Sequence, residues 1–115
     1  MRLIVAIIQP TKIRFVREAL HRIGVERMTV SDCLGYGRQR GQIATYRGIE
    51  YDLDLLSKVA MEIVVNEDFL ERTLETITNA ARTGSEGEIG DGKIFVLPCL
   101  RSIDLATGKE GPGAV

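Results

Sequence analysis

The sequence predicts an α+β fold, a ferredoxin-like split-βαβ sandwich with a long loop between its second and third strands. Short apolar runs rich in β-branched residues recur at residues 2–9, 28–35, 59–65 and 93–97. Two longer segments between them carry apolar residues at helical spacing, and the order strand, helix, strand occurs twice. A chain of 115 residues is one domain's worth, residues 1–115, large enough for a single core yet small enough for self-association to add much of its burial.

Each element has its own signal. The run "RLIVAIIQ", stopped by Pro10, reads as a central strand. Thr11 can cap a helix in which Ile13, Val16, Leu20 and Ile23 form the apolar stripe and Gly24 ends it. "MTVSDCLG" alternates Met28, Val30 and Leu34 with Thr29, Ser31 and Cys33, the pattern of a half-buried strand. "VAMEIVV" is the third strand, and Asn66 is placed to cap a helix over "EDFLERTLETITNAAR". Phe69, Leu70, Leu74 and Ile77 are that helix's buried face, while Glu67 and Asp68 favour the positive end of its dipole. "KIFVL" is the fourth strand. With both helices on one face of an antiparallel sheet, the other face is uncovered, and strands apolar on both sides predict that a second copy covers it. Between strands two and three, residues 35–58 are about twenty residues of polar, glycine-containing chain, and loops of that length in compact domains are usually functional or disordered. The glycine-rich end, "GKEGPGAV", is expected to be mobile.

Composition narrows the functional classes. A net charge of -1 and a pI near 5.8 argue against a nonspecific nucleic-acid surface. Cys33 and Cys99 lie far apart without metal-ligand spacing, and no signal-peptide pattern precedes the first strand, so both read as free thiols of a cytoplasmic protein. "LIVAII" is too short to span a bilayer, which predicts a soluble chain. His21 sits beside Leu20 with no second histidine nearby and receives no role.

The stretch "RTGSEGEIGDGKIFVLP" places Gly87, Gly92 and Lys93 at all but the last position of a Walker A loop. Ile94 stands where a hydroxyl is required, and the segment that follows is a strand rather than a helix. It is therefore a glycine-rich turn whose amides and Lys93 can bind an anion, or simply the entry to a strand.

Taken together, "AIIQPTK", "MTVSD", "GYGRQRG", "YRGIEY", "MEIVV", "ARTG" and "IGDGKIFVLP", in this order over about residues 1–98, resemble the PII signal-transduction family. That resemblance implies a homotrimer of ferredoxin-like subunits that senses rather than catalyses. It implies ATP and ADP competing in each cleft between neighbouring subunits, with 2-oxoglutarate binding beside Mg²⁺-ATP. Gly35, Gly37, Arg38 and Gln39 would line the nucleotide at the base of the long loop, and Gly90, Asp91, Gly92 and Lys93 would wrap its phosphates. Thr29, Glu62 and Val64 would hold adenosine from the other side of the cleft. Gln39 and Lys58 would serve the oxo-acid, Lys58 as a charge partner for a carboxylate and Gln39 through the metal and the ligand, with no metal site apart from the nucleotide's Mg²⁺. Residues 36–55 would be the T-loop that enters targets such as an ammonium channel or nitrogen-metabolism enzymes, 83–93 the phosphate loop, and 99–115 the C-terminal segment. Tyr51 occupies the position that some members modify with a nucleotidyl group, whereas Ile49 replaces the serine that others phosphorylate.

The chain also departs from that pattern. Where the family carries two arginines in "IRIRTG", this sequence reads "IDLATG", so Asp104 and Ala106 stand in their place. A charge-assisted phosphate contact is worth about 1.5–3 kcal/mol, so losing two weakens ATP binding by roughly a hundredfold or more unless Arg27, Arg101 or Lys109 compensates. Three residues are inserted within "TGSEGEIGDGK", adding Glu86 beside Glu88. These changes point to altered nucleotide preference, biased to ADP or AMP. Two other classes stay open: a PII-like interaction module with lost or altered nucleotide binding, and a small ferredoxin-like phosphate-ester hydrolase. The hydrolase lacks any recognisable nucleophile and base pairing in the sequence.

Overall fold

The computed structural model describes residues 1–36, 43–46, 49–52 and 55–115, with Tyr36, 43–46, 49–52, Leu55 and Ala114 described by backbone alone. The main sheet contains β1 (Arg2–Ile8), β2 (Thr29–Tyr36), β5 (Leu55–Val65) and β6 (Gly92–Pro98), in the order β2-β5-β1-β6. All its pairings are antiparallel, with Ile4 opposite Ile63 on one side and Val96 on the other. Helices α1 (Ile13–Arg22) and α2 (Glu67–Ala81) cover one face. This is the split-βαβ sandwich expected from the two repeats.

Alternation decides what is buried. Ile4, Ala6 and Ile8 of β1 and Met61, Ile63 and Val65 of β5 turn towards the helices and meet Val16, Leu20 and Ile77. Each such aliphatic side chain contributes about 1.5–3 kcal/mol when fully buried. Ile13 and Ile23, with Phe69, Leu70 and Leu74, pack partly buried around that core, as the helical spacing predicted. Thr73 is the one polar residue inside α2's buried face, and its hydroxyl donates to the Phe69 carbonyl at 2.7 Å, which satisfies it locally.

Several details differ from the expectation. A 3₁₀ turn, Pro10–Lys12, precedes α1, so Lys12 rather than Thr11 stands at the N-cap, and the Lys12 amide donates to the Gln9 carbonyl at 2.9 Å. Asn66 is the N-cap of α2 in backbone, yet its side chain makes no cap; Nδ2 instead reaches the Pro112 carbonyl at 3.4 Å. Residues 99–115 form an ordered hairpin with an Ile103 to Glu110 bridge, closed by the Gly111 amide donating to Ser102. Residues 35–58 are also more than a loop: β2 and β5 stay paired out to Tyr36 and Leu55, and β3 (Ile43–Tyr46) pairs with β4 (Ile49–Asp52) as a separate antiparallel ribbon. Its β-branched and aromatic residues on either side of Gly48 favour a hairpin over irregular chain.

The register also fixes the uncovered face. Leu3, Val5 and Ile7 point away from the helices, flanked by Phe95 and Leu97 on β6 and by Ala60 and Val64 on β5. Phe95 is 51% and Leu97 42% exposed in the single chain. Val30 and Leu34 lie on the helix side of edge strand β2 and still remain exposed, and only Met28 from that stripe joins the core.

Where β6 begins, the backbones of Gly92 and β1 are nearly in contact. A Cβ on Gly92 would stand 1.8 Å from the Ile7 carbonyl oxygen, and its φ of +119° is itself unfavourable for an L side chain. Gly92→Ala is expected to cost about 3 kcal/mol in denaturant unfolding, through strain and forced separation of β1 from β6. Wild-type stability in that variant would contradict the close approach.

Candidate functional site

The glycine-rich loop leaves α2 at Ala81 and enters β6 at Gly92, and one carboxylate organises it. Asp91 Oδ2 accepts the Thr83 amide at 2.9 Å and the Glu88 amide at 2.8 Å, while Oδ1 accepts the Thr83 hydroxyl at 2.6 Å. Burial pushes the Asp91 carboxyl up, but these hydrogen bonds, with help from the Lys12 charge, outweigh it and hold it below its ordinary value. The carboxylate is thus committed within the loop, where it holds the Thr83 and Glu88 amides.

The next residue back joins the loop to the sheet. The Gly90 carbonyl accepts from Lys58 Nζ at 2.6 Å and from Gln9 Nε2 at 2.7 Å. Lys58 lies on β5 opposite Cys33 and is only 9% exposed; among the described residues no carboxylate pairs with it. Gly35 is its neighbour on β2, where an added Cβ would touch Lys58 Cγ at 3.5 Å. A cleft of about 400 Å³ opens here, lined by Pro10, Asp32, Cys33, Leu34, Ser57 and Lys58, and Asp32 lies beyond ion-pair reach of the ammonium. Lys93 is exposed, opposite Ile7 and on the uncovered face by register.

Gly35, Lys58, Gly90, Asp91, Gly92 and Lys93 are therefore gathered at one end of the sheet. Thr29 and Glu62 are opposite one another and Val64 lies just beyond, all on the uncovered face. They sit four to six residues further along β5 than Lys58, about 13–20 Å away at strand rise. One chain does not bring the two groups together. Gly37, Arg38 and Gln39 lie outside the described residues, and Tyr51 is placed opposite Ala44 by backbone alone.

Sequence reasoning missed Gln9, whose partner Gly90 is remote in the chain, and Thr83, whose partner Asp91 lies at the other end of the same loop. It also missed what Asp104 does. Asp104 Oδ1 accepts the Ala106 amide at 2.8 Å and the Thr107 amide at 3.2 Å, and the Asp104 backbone pairs with Lys109 and Gly108. The aspartate forms the turn of the C-terminal hairpin. Arg101, one candidate replacement cation, is engaged by Glu110.

Because the Asp91 carboxyl is held below its unfolded-state value, its contribution to stability is present above that value and is lost as pH falls through the depressed one. Asp91→Asn is expected to be about 1–3 kcal/mol less stable than wild type near neutral pH. In denaturant unfolding over a pH series, the gap should narrow below the ordinary carboxylate range; a gap that holds at acid pH would assign it to packing instead.

Comparison with known proteins places this geometry. The profile of the family described as "Nitrogen regulatory protein P-II" matches residues 1–109. Nitrogen regulatory protein GlnK1 of Methanosarcina mazei is 45% identical over 115 residues, covering 100% of this chain and 97% of the relative. Nitrogen regulatory protein P-II 1 of Escherichia coli is 47% identical over 115 residues and covers 100% of both chains. A crystal structure of Arabidopsis thaliana PII bound to citrate superposes with a TM-score of 0.78 at 40% identity, over 98% of this chain and 87% of that one. With its split-βαβ sheet, its glycine-rich loop and full-length identity to regulators rather than enzymes, the chain belongs to the P-II nitrogen regulatory protein family.

Proposed function

We propose that this PII-type sensor binds adenine nucleotides and 2-oxoglutarate in clefts between neighbouring copies of a homotrimer. The observation that carries this reading is the Gly90 carbonyl held by a buried Lys58 with no carboxylate partner among the described residues. A buried ammonium in that state favours an anionic ligand, and the loop it holds presents backbone amides and Lys93 to a second one. Mg²⁺ would arrive with ATP, and the citrate held by the Arabidopsis relative supports a carboxylate site in this fold.

Two features support assembly of copies into the trimer. The uncovered face of Leu3, Val5, Phe95 and Leu97 is too apolar to be left to water, and the adenosine group at Thr29, Glu62 and Val64 can meet a phosphate loop only across an interface. Residues 36–55 would carry the signal to a cytoplasmic nitrogen-metabolism partner, such as an enzyme or the cytoplasmic side of an ammonium channel. Asp104 and Ala106 bias the site towards ADP or AMP, since neither supplies the phosphate contacts that arginines would.

Calorimetric titration with ATP, ADP and AMP, each with and without Mg²⁺ and 2-oxoglutarate, tests the reading. Binding of at least one nucleotide is expected, weakened roughly tenfold or more by Lys93→Ala. No heat from any nucleotide in folded protein would leave an interaction module in place of a sensor. Phe95→Asp on the uncovered face is expected to convert the trimer to smaller species in sedimentation; an unchanged trimer would remove that face from the interface.

A further inference from the structure

The Gly90 carbonyl has two donors of unlike chemistry. Lys58 Nζ, at 2.6 Å, is a charge with three donor directions, and Gln9 Nε2, at 2.7 Å, is a neutral amide. Their geometric roles are nearly the same, but only one of them is attracted to an incoming carboxylate. We propose that Gln9 is a positioning residue that keeps the phosphate loop in place when Lys58 turns to a carboxylate effector, and so sets the coupling between the acid and the nucleotide. This rests on the sensor reading above.

Gln9 is well built for that part. It follows β1 directly, has an extended backbone at φ -66° and ψ 137°, and is fixed on its other side by the Lys12 amide on its carbonyl. Pro10 stiffens the next step of the chain. The amide therefore starts from a rigid base, whereas the Lys58 ammonium ends a long, rotatable stem.

The consequence concerns linkage. When a carboxylate draws the ammonium, the Gly90 carbonyl loses a charged donor in a part-buried place. With Gln9 present it keeps a partner, the loop stays closed on Asp91, and acid and nucleotide bind together. Without Gln9 the carbonyl is left unpaired, and the loop must shift to find a donor, so binding of the acid then weakens the nucleotide site. By reciprocity the nucleotide weakens the acid site equally.

The experiment titrates the full chain calorimetrically with Mg²⁺-ATP, without and with saturating 2-oxoglutarate, for wild type and Gln9→Met. Methionine keeps the length and removes the donor. ATP alone is expected to bind within about threefold of wild type, because Lys58 still holds Gly90, while the gain in ATP affinity produced by 2-oxoglutarate falls about tenfold. Gln9→Glu, which sets oxygen against oxygen at Gly90, is expected to cut that gain at least as far. Equal losses with and without the acid would make Gln9 a static strut and overturn the proposal, as would a gain unchanged in both variants. If wild-type protein binds ATP but 2-oxoglutarate leaves its affinity unaltered, the coupling is overturned and nucleotide binding stands. If it binds neither, the sensor reading itself falls.

Discussion

The carbonyl oxygen of Gly90 joins three parts of the chain that are remote in sequence. It takes one hydrogen bond from the residue after β1 and one from β5, and it belongs to the loop that feeds β6. β1 lies between β5 and β6 in the sheet, so one donor comes from a strand paired with β1 and the other from the residue that follows β1. The loop's position is thereby set by the sheet rather than by the helix it leaves. A neutral carbonyl satisfies the ammonium without neutralising it, which leaves the charge available to a ligand.

The same loop is drawn together by one side chain. Oδ2 of Asp91 accepts both the Thr83 and the Glu88 amides, so the two ends of the enlarged segment are clamped at one atom. Residues 84–87 lie in sequence between those clamps, with Gly87 at φ +79° beside the carboxylate. Glu86 and Glu88 are both exposed, so water screens the negative charge that the insert brings.

Much of this fold was legible because its signals are local. Val16, Leu20 and Ile77 declare buried helix faces through spacing alone, and β1 declares itself through an unbroken apolar run rich in β-branched residues. The ribbon β3–β4 was not legible because a polar, glycine-containing segment reads as loop until its pairing partner is known. Asn66 has a cap's identity and backbone, yet Pro112, far along the chain, takes its amide instead. The candidate site divides in the same way: Gly90 to Lys93 and Lys58 stand out by motif, whereas Gln9 matters only through a partner brought near by folding.

Asp104 has a structural part at a position where the resemblance leads one to expect an arginine. Its side chain closes two backbone amides of the C-terminal turn, and Gly108 at φ +71° completes a hairpin that arginine's long side chain cannot close in this way. Those hydrogen bonds spread the carboxylate's charge without removing it, and Arg101, the nearest cation in sequence, is already engaged by Glu110. On the sensor reading, the repulsion this leaves in the neighbouring cleft grows with every phosphate on the ligand. A nucleotide with fewer phosphates would meet less of it while keeping the adenosine contacts proposed at Thr29, Glu62 and Val64. On that reading a turn-forming aspartate at this position would shift selectivity along the adenylate series, while the hydrogen bonds that hold Gly90 and Asp91 in place involve neither Asp104 nor its turn.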